Sequence, residues 1–217
     1  MAVTGQVFSS PGPWQSLLTL VLEALVVMGS PGPSTMAVTA TGAAFGLRRS
    51  RALVSGAIAG TLAVLLAVAT GVLTLLVAIP GLGTGLALAS AIYILYLALK
   101  IATAPPLARQ NAGGAAPSFA AGLLLGVANP KAWLAIAAVF TGSTLVEAAG
   151  ALDALLKVIV LALMIVVIHL SWLLGGVSLS GLLGDPLRSR IVNILFGLIL
   201  AATAMLPLIR WIPGSGG

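Results

Sequence analysis

The chain has 217 residues, 60% of them apolar and only 6% charged, with a mean hydropathy of +1.20. A soluble domain of this size could not carry that balance, so the composition requires an integral membrane protein. The formal net charge of +6 comes from basic residues too few and too scattered for a nucleic-acid face. The absence of cysteine removes disulfides, thiol redox chemistry and thiolate metal sites.

No Lys or Arg precedes Arg48, so the basic start of a cleavable signal is missing and the first apolar segment is expected to stay. Windows of about twenty apolar residues predict six spans, near 14–47, 52–78, 82–103, 119–141, 152–176 and 191–209. The first is too long for one straight crossing, and Pro31-Gly32-Pro33 lies near its middle. It therefore reads as two half-helices meeting near the midplane. The second and third spans are joined by Pro80-Gly81-Leu82-Gly83, and the third and fourth by the breaker-rich stretch 104–117. The fourth span carries Asn129-Pro130-Lys131 near its middle, and Gly184-Asp185-Pro186 separates the fifth from the sixth. No soluble domain fits between them, so residues 1–217 form one transmembrane domain.

Arg48, Arg49 and Arg51 follow the first span, Lys100 and Arg109 the third, and Arg188 and Arg190 the fifth. The opposite side holds Lys157 and Arg210. The richer side is cytoplasmic by the positive-inside rule, which puts both termini outside. When the chain is slid so that Pro31 falls on Pro130, the second span falls on the fifth and most of the third on the sixth. Three spans is an odd number, so the copies, about 14–103 and 118–211, enter the membrane from opposite sides. The expected fold is an all-α integral membrane protein of six transmembrane helices, arranged as two inverted three-helix repeats with broken first and fourth helices.

A proline in lipid strands a carbonyl that no water can satisfy, so such a break persists where it faces protein or lines a cavity. Paired breaks at matching places in two halves point to a carrier's binding site. The half-helix after Pro33 presents unpaired N–H groups and a positive dipole end, which suit a carboxylate. The half-helix at Pro130 does the same, and Lys131 adds a full charge. Gly32 lets backbone approach a ligand, while Ser34 and Thr35 can donate hydrogen bonds. Pro31, Gly32, Pro33, Ser34, Asn129, Pro130 and Lys131 are thus the expected substrate-binding residues. The competing reading is that the prolines only kink helices for packing.

Ionisable residues inside a membrane are costly and usually functional. Lys131 has no sequence neighbour to pair with; its alternative is a bridge to a distant carboxylate that locks helices. Glu23 could bind an ammonium, carry a proton or sit at the outer interface. His169 titrates near neutrality when unperturbed, which suits a proton relay, or it is held by a neighbouring hydrogen bond. Glu147, Asp153, Asp185 and Asn193 read as loop or helix-end residues. Trp14, Trp172 and Trp211 read as interface anchors. The pairs Gly42, Gly46 and Gly56, Gly60 favour close helix packing or dimer contacts. A metal site would need more ligands than Glu23 and His169 supply, and a serine protease lacks its motif around Ser178. No enzyme, cofactor or resident metal is expected.

Four motifs stand in order: Pro31-Gly32-Pro33-Ser34 leading to Gly46-Leu47-Arg48-Arg49, then Tyr93-Ile94-Leu95-Tyr96-Leu97-Ala98-Leu99-Lys100, then Gly126-Val127-Ala128-Asn129-Pro130-Lys131, and finally Val192-Asn193-Ile194-Leu195-Phe196-Gly197. In this the chain resembles the LysE/RhtB family of bacterial amino-acid exporters, over nearly its whole length after the first dozen residues. The resemblance implies a secondary transporter of the bacterial cytoplasmic (inner) membrane. It would export amino acids or related small metabolites, driven by the proton-motive force. Its partners would be the small-molecule substrate and the lipid bilayer, with no nucleic acid; a homodimer is compatible with the small-residue faces. Departures from the family pattern are His169 and Ser171-Trp172, where many relatives carry an acidic residue, and a second span without the polar residue some have after its glycines. These weigh against basic or hydroxylated substrates. The alternative is an exporter of a lipid or glycolipid-type substrate of related fold, because so apolar a set of spans suits a greasy solute.

Overall fold

A computed structural model describes residues 12–72, 78–79, 81–103, 116–147, 149–179 and 185–211. Pro80, Gly184, Arg109 and most of the stretch 104–117 lie outside the described residues. Among the described residues the regular structure is entirely helical. Helix α1, Pro13–Glu23, runs on into a π-helical turn, Ala24–Met28. Then follow α2 (Pro33–Ala69), α3 (Leu82–Ala102), α4 (Phe119–Val127), α5 (Pro130–Gly142), α6 (Gly150–Leu179) and α7 (Pro186–Trp211).

The helix starts follow local chemistry. Proline opens α1, α2, α5 and α7, where its missing N–H is one the first turn could not use anyway. Ser118 caps α4 by accepting from Ala121 N at 3.2 Å, and Asn129 Oδ1 caps α5 by accepting from Lys131 N at 3.1 Å. Asp185 does the same for α7, accepting from Leu187 N at 2.7 Å.

Helix α2 is two arms. Ser50 Oγ donates to Thr41 O at 3.0 Å and to Gly46 O at 2.7 Å. Residues nine apart in a straight helix would lie about 13 Å away along the axis, so the chain doubles back. Gly46, at φ 69° and ψ 174°, makes the turn in a region of backbone space that is essentially glycine's alone. The arms 33–45 and 47–69 correspond to the second half of the first predicted span and to the second span. Arg48, Arg49 and Arg51 are therefore in the first turns of a helix, not in a loop. The second arm stops at Ala69, short of the predicted residue 78. Thr70 N and Gly71 N close back on Leu66 O and Val68 O, both at 3.0 Å, with Gly71 left-handed at φ 77°.

Glycines fix how closely the helices meet. A Cβ on Gly56 would lie 2.0 Å from Phe119 O and one on Gly60 2.4 Å from Leu123 O. Reciprocally, one on Gly122 would lie 1.9 Å from Leu53 O and one on Gly126 2.7 Å from Ala57 O. Arm 47–69 and α4 thus touch backbone to backbone. Arm 33–45 meets α6 the same way, with Gly176 against Thr39 O at 2.1 Å and Gly42 against Leu173 O at 2.8 Å. Gly42, Gly56 and Gly60 are occupied inside the chain and Gly46 is a turn, so any homodimer would use other surfaces.

Gly197 of α7 lies similarly close to α3, a Cβ on it falling 2.8 Å from Ala98 O, and elsewhere side chains do the packing. Leu20, Ala24, Val64, Leu65, Ile136, Val139, Leu161 and Ile165 join α1, arm 47–69, α5 and α6 in one buried cluster. A second cluster sets Ile94 and Leu97 of α3 and Leu200 of α7 against Met36, Ala37 and Ala40. The outer surface is apolar: Val26 and Leu134 are each 71% exposed, a pattern that suits lipid and not water. Apolar stretches long enough to cross a membrane lie in α2 and in α6, and α4 with α5, bent by 56° at its break, is either a third, broken crossing or a re-entrant pair. The segments 14–28, 91–102 and 190–202 are shorter apolar helices.

Candidate functional site

Gly29 caps the π-helical turn, and the carbonyls that follow find no helical partner, because Pro33 brings no N–H for Gly29 O and the extended backbone at Gly32 breaks the helix for Ser30 O and Pro31 O. Their donors come from far along the chain. Trp172 Nε1 donates to Gly29 O at 3.0 Å. Lys131 Nζ donates to Ser30 O and, at 3.3 Å, to Pro31 O. At the second break Trp133 Nε1 donates to Val127 O at 2.8 Å. The two breaks therefore meet, as the paired prolines required, and Lys131 is the side chain that joins them.

Gly32 is extended at φ −168°, a conformation open to any residue, and its missing side chain leaves the space that the Lys131 side chain fills. A Cβ there would lie 2.6 Å from Lys131 Cδ. Its N–H donates to Thr35 Oγ1 at 2.8 Å, and the Thr35 hydroxyl donates to Gly32 O at 3.1 Å. This fixes the entry to α2. Pro33 is buried at the first position of that helix and Pro31 is exposed.

Beside the junction lies a cavity of about 40 Å³, room for about three waters at about 10–15 Å³ each. Gly32, Ser34, Asn129 and Lys131 line it, as does His169. Two polar atoms of its lining, Ser34 Oγ and His169 Nε2, are buried with no hydrogen-bond partner. Buried polar atoms are almost always paired, with protein or with ordered water, so two such atoms on one small cavity mark where water or another small polar group is held.

Several residues stand elsewhere than the sequence implied. Lys131 has neither an empty surround nor a carboxylate; its partners are the two carbonyls. Trp172 is half-buried and holds the first break together, so it is not only an interface anchor. Thr61, which follows Gly60, lines the cavity, so the second span does carry a polar residue after its glycines. Glu23 is not among the cavity-lining residues. Its Oε2 lies 3.9 Å from a Cβ built on Gly142, at the far end of α5, about 20 Å from Pro130.

Asp153 is a helix-end residue, in the first turn of α6, and it is buried there as an ion-pair partner. Its Oδ2 is 2.7 Å from Lys157 Nζ, and its Oδ1 accepts from Leu145 N at 2.6 Å and Val146 N at 3.0 Å. Lys157 Nζ also donates to Phe140 O and Ser143 O, both at 2.9 Å, sealing the C-terminal end of α5. The opposite charges one helical turn apart were the available signal. Among the described residues no group of three or more His, Cys, Asp or Glu could hold a metal.

A helical membrane protein whose broken helices meet over a small cavity with unpartnered polar groups has the makings of a translocator. The family model for LysE type translocators matches residues 25–210, and the chain belongs to that family. No curated protein and no solved structure matches it.

Proposed function

We propose that this translocator exports amino acids or related small metabolites from the bacterial cytoplasm across the inner membrane, in exchange for protons. The observation that carries the reading is the junction of the two breaks through Lys131, directly beside a cavity with a free hydroxyl and a free imidazole nitrogen. A substrate carboxylate would take the Lys131 ammonium, the Ser34 hydroxyl and the positive N-terminal ends of α2 and α5. The cavity holds only a few water-sized groups, so loading requires it to widen.

Widening follows if the chain is two inverted three-span repeats rocking about the paired breaks. Support comes from equal lengths: arm 33–45 and Pro130–Gly142 each run thirteen residues, their opening proline included. In this reading there are six spans, both termini face outward, and Arg48, Arg49 and Arg51 face the cytoplasm. The small cavity speaks for an amino acid over a lipid or glycolipid.

The test uses proteoliposomes loaded with a mixture of all proteinogenic amino acids, with release followed by mass spectrometry. At least one should leave faster than from protein-free vesicles, and faster still with acid outside. Lys131→Ala should stop it, and Lys131→Arg should restore part. Release indifferent to both proton gradient and uncoupler would mean a facilitator. Reporter fusions after Arg51 and Arg188 should read cytoplasmic, and those after Gly150 and Gly217 external; a cytoplasmic C-terminus would end the inverted repeat.

A further inference from the structure

We infer that His169 Nε2 is the single atom at which the substrate's ammonium and the coupling proton exclude one another. The inference rests on the export reading above and names its coupling step. The chain contains one histidine. It is buried in α6, with Nδ1 2.8 Å from Ile165 O one helical turn back. A carbonyl oxygen only accepts, so Nδ1 carries the hydrogen, and the neutral ring presents a lone pair at Nε2. That atom has no partner, and the residue lines the cavity.

A buried lone pair on a cavity calls for a donor. Two donors fit a small translocated solute: an ammonium N–H, or a proton that turns the ring into imidazolium. They cannot be present together, because imidazolium has no lone pair at Nε2 and its charge repels an ammonium. The groups facing His169 across the cavity reinforce the choice. The π-helical turn contributes Met28, α2 contributes Ser34, Thr35 and Thr61, and α5 contributes Asn129 and Lys131. Lys131 is the one other titratable group of that lining, and its ammonium is held by Ser30 and Pro31 carbonyls. The chain's four acidic residues, Glu23, Glu147, Asp153 and Asp185, are all absent from the lining. No carboxylate is there to trade a proton for an ammonium, so the imidazole is left with the task.

The substrate then lies with its ammonium on Nε2 and its carboxylate toward Lys131 and Ser34. Arrival from the cytoplasm sends the Nε2 proton to cytoplasmic water; departure outside leaves the lone pair to be protonated from outside. One proton enters for each zwitterion that leaves: on the cytoplasmic side the Nε2–H bond breaks and an O–H bond of hydronium forms, and on the outer side an O–H bond breaks and the Nε2–H bond forms again. The exchange carries one net positive charge inward.

The single histidine makes the test direct. Full-length protein labelled with ¹⁵N-histidine, in lipid nanodiscs, gives one imidazole to follow by NMR. Without substrate at about pH 8, the neutral ring should be the Nδ1–H tautomer. A saturating mixture of proteinogenic amino acids should lower the midpoint of the His169 titration by about one pH unit, a tenfold loss of proton affinity. Acetate, propionate and butyrate, which lack the ammonium, should not lower it. An Nε2–H tautomer would overturn the inference. So would an unmoved midpoint in protein that exports an amino acid of the mixture from vesicles. Failure to export any of them would instead overturn the function proposed above, and this inference with it.

Discussion

On one side of the two breaks the helices meet backbone to backbone; on the other they meet through side chains. Arm 33–45 lies against α6, and α4 against arm 47–69, with Gly42, Gly176, Gly56, Gly60, Gly122 and Gly126 leaving no room for a Cβ. Beyond the breaks, α1 and α5 rest on a layer of Leu, Ile and Val, closed at the end of α5 by the Asp153–Lys157 pair. A glycine seam has no slack, because any slide drives backbone into backbone. A layer of aliphatic side chains can re-pack through rotamers when a helix tilts. Because both seams join one proposed repeat to the other, the comparison predicts that the seam is the pivot about which the repeats rock and the side-chain layer the part that yields.

The seam should fail most severely. Gly122→Leu puts a side chain where Leu53 O already stands 1.9 Å from the Cβ position, and should cost more than about 4 kcal/mol, leaving no monodisperse protein by size-exclusion chromatography. A well-behaved Gly122→Leu protein would dissolve the distinction between the two sides. Next comes the ion pair. Lys157→Met strands the Asp153 carboxylate and two carbonyls, and should lower stability by about 3 kcal/mol. Adding Asp153→Asn should recover part of that in a thermal unfolding series, and full additivity would show the pair to be uncoupled.

Within the junction, Lys131→Ala leaves Ser30 O and Pro31 O without their donor, at about 2 kcal/mol. Export should be lost in the protein that still folds. The smallest effect belongs to Trp172→Phe, which keeps the ring's packing but frees Gly29 O, at about 1 kcal/mol. If that variant matched Lys131→Ala in both stability and transport, the junction would be a packing feature rather than a site.

The breaks were legible in the sequence because a missing proline N–H is a local property that needs no partner to be known. What satisfies them was not. Ser30 O and Lys131 are 101 residues apart, and Gly29 O and Trp172 are 143 apart; contacts of that span leave no periodic trace. The family motifs brought Gly32, Ser34 and Lys131 forward together, and His169 was found by its rarity. Thr61 was overlooked, as a lone hydroxyl in an apolar span. Its hydroxyl donates to Ala57 O at 2.8 Å, as many buried threonines do without any role. Asp153 and Lys157 were read singly, as a helix-end residue and a charge of the outer side, and their pairing inside the protein could not be told from spacing alone, because exposed pairs one turn apart have the same spacing.

Gly46 also ties the position of one arm to that of the other. A reversal completed within one residue leaves no loop between arms 33–45 and 47–69. Arm 33–45, at about 20 Å, is shorter than a bilayer core of about 30 Å, so its depth in a membrane is set by the longer neighbour it is joined to.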